Sequence, residues 1–155
     1  MAIYLLDTNI LLRSVQREAS QHATAVESLA TLLEQGNDIF IAAQNLIEFW
    51  SVASRPTEAN GLGWSIETVQ QEIDRLLGQF PLLDDTSAVF FRWLQLVSTY
   101  RVIGRRVHDA RLVAMMLTHG VTHLLTFNRD DFRPFNMITV VAPVDLLTSS
   151  QETPP

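Results

Sequence analysis

The chain has 155 residues, of which 47% are hydrophobic and 18% charged, a composition typical of one globular domain. It contains no cysteine, which excludes disulfides and thiolate metal sites, and all 11 of its basic residues are arginine. The absence of lysine excludes P-loop and Schiff-base chemistry. Because the net charge is −6, binding to nucleic acid would need clustered arginines or bound cations.

The N-terminal segment and the apolar runs predict where the protein acts. No apolar run is long enough to span a membrane, and no basic region precedes the first apolar residues as it does in a secretory signal. Together with the absence of cysteine, these features predict a cytoplasmic protein.

Strands and helices alternate along the predicted chain. In order, the elements are a strand at 3–6, helices at 10–16 and 20–35, a strand at 38–43, helices at 44–54 and 66–80, a short strand at 82–83, a helix at 86–100, a basic linker at 101–107, a helix at 108–119, and strands at 121–127 and 138–141. This alternation predicts an α/β fold with a parallel sheet covered on both faces, without fixing the strand order. We predict a single domain over residues 1–147 and a flexible C-terminal tail over residues 148–155.

Acidic side chains recur where such a sheet would bring them together. Asp7 follows the first strand, Glu48 lies in the first turns of the helix after the second strand, and Asp109 opens a later helix. The polar residues that follow the next strand are Asn128, Asp130 and Asp131. Strand C-termini and helix N-termini share one edge of a parallel sheet, where ligands bind, so we expect these residues to meet there.

Each of these residues also has a purely structural interpretation. Asp7 or Thr8 can cap the following helix, and Glu48 can be a solvated helix residue loosely paired with Arg55. Asp109 can be a helix cap or an acid in the first turn that the helix dipole favours. Their joint placement favours a functional site. Clustered carboxylates repel unless a cation neutralises them, and oxygen ligands suit Mg²⁺ or Mn²⁺, which supports phosphodiester hydrolysis.

Four segments carry these residues: Leu5-Leu6-Asp7-Thr8-Asn9, Asn45-Leu46-Ile47-Glu48-Phe49, His108-Asp109-Ala110-Arg111 and Leu125-Thr126-Phe127-Asn128-Arg129-Asp130-Asp131-Phe132. In this order they resemble the motifs of the PIN-domain family, and within it the VapC-type toxins of prokaryotic toxin–antitoxin modules. The resemblance covers roughly residues 1–147. It implies a three-layer PIN-like fold, with a central parallel sheet of four or five strands and helices on both faces.

The resemblance also implies an activity: a Mg²⁺- or Mn²⁺-dependent endoribonuclease that hydrolyses RNA phosphodiester bonds as the toxin of a type II toxin–antitoxin system. It implies a small antitoxin protein that covers the acidic pocket, and a homodimer. Carried over by position, Asp7, Glu48 and Asp109 match catalytic and metal-binding acids, and Asp131 is the fourth catalytic candidate. Which of Asn128, Asp130 or Asp131 approaches the metal stays open. The positions that orient the ligands through hydrogen bonds are matched by Thr8, Asn9, Thr126 and Asn128.

The basic linker is the last candidate segment. Arg101, Arg105 and Arg106 cluster just ahead of Asp109, and we predict that they bind RNA. The alternative is an exposed loop whose charges pair with Asp84, Asp85 or solvent.

Two other functions fit the same pattern. One is a PIN nuclease in RNA processing or repair. The other is a non-catalytic PIN-like binding module, which Asn128 would favour because many members of the family carry an aspartate there.

Overall fold

The computed structural model describes the backbone of residues 1–151 and the side chains of residues 1–147. Five parallel strands form one sheet in the order β3–β2–β1–β4–β5. The strands are β1 (Ile3–Leu6), β2 (Asp38–Ala42), β3 (Leu82–Leu83), β4 (His123–Leu125) and β5 (Thr139–Val141). The prediction of a parallel sheet with four or five strands is confirmed.

Helices connect these strands. Within the described residues they are α1 (Thr8–Val15), α2 (His22–Glu34), α3 (Ala43–Ser54), α4 (Ile66–Gln79), α5 (Ser87–Thr99), α6 (Arg106–His119) and α7 (Pro143–Gln151), with short 3-10 turns at Thr57–Ala59 and Arg129–Phe132. None of these helices is long and apolar enough to cross a membrane.

The sheet divides the apolar core into two layers. Successive residues of a strand point to opposite faces, so Tyr4 and Leu6 of β1 pack on one side and Leu5 on the other. The first layer is formed with α1, α2, α3 and α4, and the second with α5 and α6. The arrangement is the predicted three-layer fold with helices on both faces.

The strand order places a crevice between β1 and β4. From β1 the chain continues outward to β2 and β3, and it then returns to the other side of β1 to form β4 and β5. Ligands of open α/β sheets bind at the carboxyl ends of the strands at such a reversal. Asp7 and Thr126 directly follow the two strands that flank this point.

Several predicted boundaries are wrong by one or two residues, among them the start of α6 and both ends of β4. Helix α6 begins at Arg106 rather than at residue 108, because the backbone turns at Gly104 (φ 65°) and the Val107 N–H already donates to the Gly104 carbonyl. Strand β4 is limited to His123–Leu125 instead of 121–127, because the Val121 N–H donates to the Met116 carbonyl and so belongs to the end of α6.

Helix α7 was not predicted. It begins at Pro143, a residue that is well suited to the first helical position, and extends to Gln151. Residues 152–155 of the predicted tail lie outside the described residues, as do the side chains of 148–151.

Candidate active site

The carboxyl ends of the strands and the N-termini of the helices meet at one edge of the sheet, here called the strand-end edge. Asp7 lies at the centre of this edge and is 9% exposed. Its carboxylate caps α1 by accepting a hydrogen bond from the Thr8 N–H at 2.8 Å, so the capping interpretation is correct. The Asp7 N–H donates to the Leu125 carbonyl at 3.0 Å, which ties the end of β1 to the end of β4. Asp7 is therefore held both by its own helix and by the neighbouring strand.

The Thr126 hydroxyl joins the two strand ends. It donates to Asp7 Oδ2 at 2.7 Å, and it accepts from Asn9 Nδ2 at 3.2 Å and from the Asn128 N–H at 3.0 Å. Asn9 completes the connection, because its Oδ1 accepts from the Phe127 N–H at 3.2 Å. Thr126 is fully buried, so these bonds fix Asp7 with little freedom to rotate.

Glu48 faces Asp7 from α3 and is partly buried. Its Oε2 accepts a hydrogen bond from the Thr8 hydroxyl at 2.7 Å, and its Oε1 accepts one from Gln44 Nε2 at 2.9 Å. Arg55, the alternative partner, donates instead to the Ser51 hydroxyl. Glu48 is thus oriented toward the strand-end edge rather than toward solvent.

Asp109 and Asp131 complete the group of acids. Burial raises the pKa of Asp7 to about 6, against hydrogen bonds from Thr126 and Thr8 that lower it, and the charges of Glu48 and Asp131 raise it further. Burial likewise raises the pKa of Asp109 to about 6, and the charges of Asp7, Asp131 and Glu48 add to this effect while Arg106 opposes it. Glu48 and Asp131 therefore act electrostatically on both Asp7 and Asp109.

The other candidates at this edge are placed differently. Asp130 is exposed and pairs with Arg133 at 2.5 Å, and its charge is not among those that raise the pKa of Asp7 or Asp109. Asn128 reaches Thr126 through its backbone N–H. Of the three residues left open by the sequence, Asp131 is the one that acts electrostatically on both Asp7 and Asp109.

The donor set fits a hard divalent cation in its chemistry. All four acids offer carboxylate oxygens. The pKa values of Asp7 and Asp109 are raised to about 6, which means that their ionised forms are destabilised, and bound positive charge would offset this destabilisation. Among the residues with described side chains, however, no three His, Asp or Glu residues are already close enough to hold a metal ion. Binding would need these carboxylates to draw closer together or water molecules to bridge them to the cation.

The arginines of the basic segment are exposed. Arg101, Arg105 and Arg106 form no ion pair among the described residues, and Arg106 is close enough to Asp109 to lower its pKa. Asp85, an alternative partner for them, is paired with Arg111 at 2.7 Å.

Two polar residues beside Glu48 were missed by the sequence analysis. Gln44 is buried and bonds to both Glu48 and α6, and Asn45 is fully buried, with its Nδ2 3.3 Å from Thr8 Oγ1 and its Oδ1 accepting from the Ala42 N–H. Gln44 precedes Glu48 by four residues, a spacing at which helix side chains meet, and this spacing could have revealed it. The residues that line an open cavity of about 470 Å³ beside Glu48 are Gln44, Ile47, Glu48, Asp85, His108 and Arg111.

A family model for the PIN domain matches residues 4–135 of this chain. The chain belongs to the PIN-domain family. Ribonuclease VapC24 of Mycobacterium tuberculosis is 27% identical over 145 residues, which cover 90% of this chain and 95% of that protein. The resemblance stated from the four sequence segments is confirmed.

Solved structures have the same fold as this PIN domain. One of these structures is VapBC2 from Rickettsia felis bound to a DNA fragment from its promoter. A chain of it superposes with a TM-score of 0.68 at 20% identity, covering 90% of this chain and 98% of that one. A chain of a toxin–antitoxin complex from Klebsiella pneumoniae gives a TM-score of 0.63 at 21% identity, covering 90% and 97%. These similarities show the fold of the domain.

Proposed function

We propose that this PIN domain is a Mg²⁺- or Mn²⁺-dependent endoribonuclease that acts as the toxin of a toxin–antitoxin pair. The observation that carries the proposal is the electrostatic coupling of Asp7, Glu48, Asp109 and Asp131 at the strand-end edge. The similarity to ribonuclease VapC24 over most of both chains supports RNA as the substrate.

In this proposal, Asp7 and Asp109 bind the cation, and Glu48 binds it directly or through water. When bound, the cation would activate water and screen the charge that develops on the departing oxygen. Thr126 and Asn9 hold the Asp7 carboxylate, and Thr8 holds Oε2 of Glu48 so that this carboxylate can orient the attacking water. Asp131 adds negative charge beside Asp7 and Asp109, which favours occupancy by the cation.

We also infer that a small antitoxin protein binds the domain. This inference is supported by its similarity to chains of VapBC2 and of the Klebsiella complex, which were solved as assemblies. The homodimer rests on the family resemblance, and we retain the cytoplasmic location predicted from the sequence.

The test of the proposed activity is cleavage of total RNA by the purified protein. We expect cleavage with Mg²⁺ or Mn²⁺, none after addition of EDTA, and recovery when the cation is restored in excess. An Asp7→Asn preparation, purified in the same way, controls for contaminating ribonucleases. Cleavage that persists both in EDTA and in this variant would show that the activity does not belong to the domain.

The exposed arginines at the start of α6 give a second expected result. The double variant Arg105→Ala with Arg106→Ala should bind RNA more weakly. The slope of log affinity against log salt concentration should decrease in magnitude by about one unit per lost phosphate contact. Binding would be measured over a series of salt concentrations in the Asp7→Asn background and in EDTA, so that cleavage does not interfere.

The matched control removes two exposed arginines from other segments, by Arg17→Ala with Arg92→Ala. Both double variants lose the same net charge, so a general electrostatic effect would lower the two slopes equally. Only a decrease confined to the Arg105 and Arg106 variant supports an RNA path along this segment, and an unchanged slope would place the RNA elsewhere.

A further inference from the structure

Gln44 links two of the proposed cation-binding carboxylates. It lies in the first turn of α3 and is 8% exposed. Its Nε2 donates to Oε1 of Glu48 at 2.9 Å, within the same helix, and to the backbone carbonyl of His108 at 2.8 Å, in the first turn of α6. His108 immediately precedes Asp109, so one buried amide bridges the helix of Glu48 and the helix of Asp109.

The orientation of this amide follows from its neighbours. Arg111 Nη1 lies 3.3 Å from Oε1 of Gln44, and a guanidinium can only donate. The Glu48 carboxylate and the His108 carbonyl can only accept, so the opposite orientation of the amide would lose all three bonds. Arg111 is itself fixed by Asp85, whose two oxygens accept from Nη2 at 2.7 and 2.9 Å.

The first turn of α6 is held from a second side. The Val107 carbonyl accepts a hydrogen bond from Nε1 of Trp93 in α5 at 2.7 Å. Two consecutive carbonyls ahead of Asp109 are thus bound by side chains of α5 and α3. Because these contacts fix the backbone that carries Asp109, its separation from Glu48 depends on them.

We propose that Gln44 is a positioning residue that sets the placement of Glu48 relative to Asp109 for cation binding. It acts through these two residues and contacts neither the cation nor RNA. This inference rests on the proposed function, in which both carboxylates bind the cation. Residues that orient metal ligands in this way typically contribute about 10–100-fold to metal affinity or activity.

The test compares Gln44→Leu with Gln70→Leu, which makes the same change at an exposed position of α4. Mn²⁺ affinity is measured by calorimetry without RNA, and kcat and KM are measured separately with RNA. We expect Gln44→Leu to weaken Mn²⁺ binding roughly tenfold or more and to lower kcat with little change in KM, whereas Gln70→Leu resembles the wild type.

A second variant, Gln44→Asn, keeps the amide but is one methylene too short to reach both acceptors. It should shift Mn²⁺ affinity in the same direction even if Gln44→Leu folds poorly. Wild-type Mn²⁺ affinity in the folded Asn variant, or a change in either folded variant confined to the melting temperature, would overturn the positioning role.

The same measurements separate this inference from the proposed function. If the wild type binds Mn²⁺ but does not cleave RNA, the ribonuclease proposal fails while the effect of Gln44 on Mn²⁺ affinity is still measured. If the wild type cleaves RNA and the folded Gln44 variants match it in Mn²⁺ affinity and kcat, only the role of Gln44 fails. A wild type that binds neither Mn²⁺ nor Mg²⁺ overturns both.

Discussion

An Asp7→Asn variant is expected to cleave RNA roughly 10²–10³-fold more slowly than the wild type. Its cation-free form is expected to unfold at a higher temperature. The loss follows because Asp7 is the buried carboxylate on which Thr126, Asn9 and Thr8 converge. Asn preserves the shape of the side chain and removes its charge. Cleavage rates under saturating Mg²⁺ and thermal unfolding in EDTA are the two measurements.

The gain in stability has an electrostatic cause. Burial is the largest effect that raises the pKa of Asp7 to about 6, so the ionised carboxylate destabilises the folded state at pH 7. Asn can still accept from the Thr8 N–H, but an amide NH₂ in place of Oδ2 loses the bonds that this oxygen accepts from the Thr126 hydroxyl and Asn9 Nδ2. After allowance for imperfect hydrogen bonding, we expect about 1–2 kcal/mol of stabilisation, or roughly 2–8 °C in a domain of this size.

The pH dependence of the difference provides the control. Because the pKa of Asp7 is higher in the folded than in the unfolded state, the folded wild type binds the proton more tightly. The contribution of Asp7 to the stability of the wild type therefore falls as the pH rises from about 4 to about 6, whereas Asn does not titrate. The Asn variant should have the higher melting temperature at pH 7, and this gap should close or reverse near pH 4, where Asp7 is protonated in the folded wild type. An equal gap at both pH values would refute the electrostatic explanation.

Glu48→Gln is expected to lower turnover roughly 10–100-fold, with the fold retained. The Thr8 hydroxyl and Gln44 Nε2 orient the two carboxylate oxygens, and Gln keeps the length of the side chain while removing its charge. The measurement is kcat at saturating RNA and Mg²⁺, with the melting temperature as the check on folding.

Glu67→Gln is the matched control, because Glu67 is an exposed glutamate in the first turn of α4. It should cleave RNA at the wild-type rate. Equal losses in the two variants would mean that placement at the strand-end edge does not distinguish Glu48 from a surface glutamate.

The sequence predicted the sheet because the apolar run of β1 and the amphipathic faces of the helices reflect burial on particular sides. It did not predict the start of α6, since buried residues such as Ala110, Val113 and Met115 leave little periodicity to mark it. Helix α7 was missed because it is short and its apolar residues form no clear stripe. Strand order depends on which helices pack together, and no local pattern encodes that.

The acids of the candidate site could be predicted because topology brings strand ends and helix starts to one edge. Their supporting contacts could not all be predicted. The bond from Gln44 to the His108 carbonyl depends on how α3 approaches α6, and the pairing of Arg111 with Asp85 depends on the position of α5. Of the contacts that Gln44 makes, only its four-residue spacing from Glu48 was visible along the chain.

The division of the apolar core by the sheet bears on how such a domain can evolve. Glu48 belongs to a helix of the first layer, Asp109 belongs to a helix of the second, and Asp7 directly follows the strand between them. A duplicated or truncated gene that kept only one layer would inherit only some of these acids. Those acids could not form the site without the ones from the other layer. The smallest heritable unit of this carboxylate cluster is therefore the whole sheet with both of its layers.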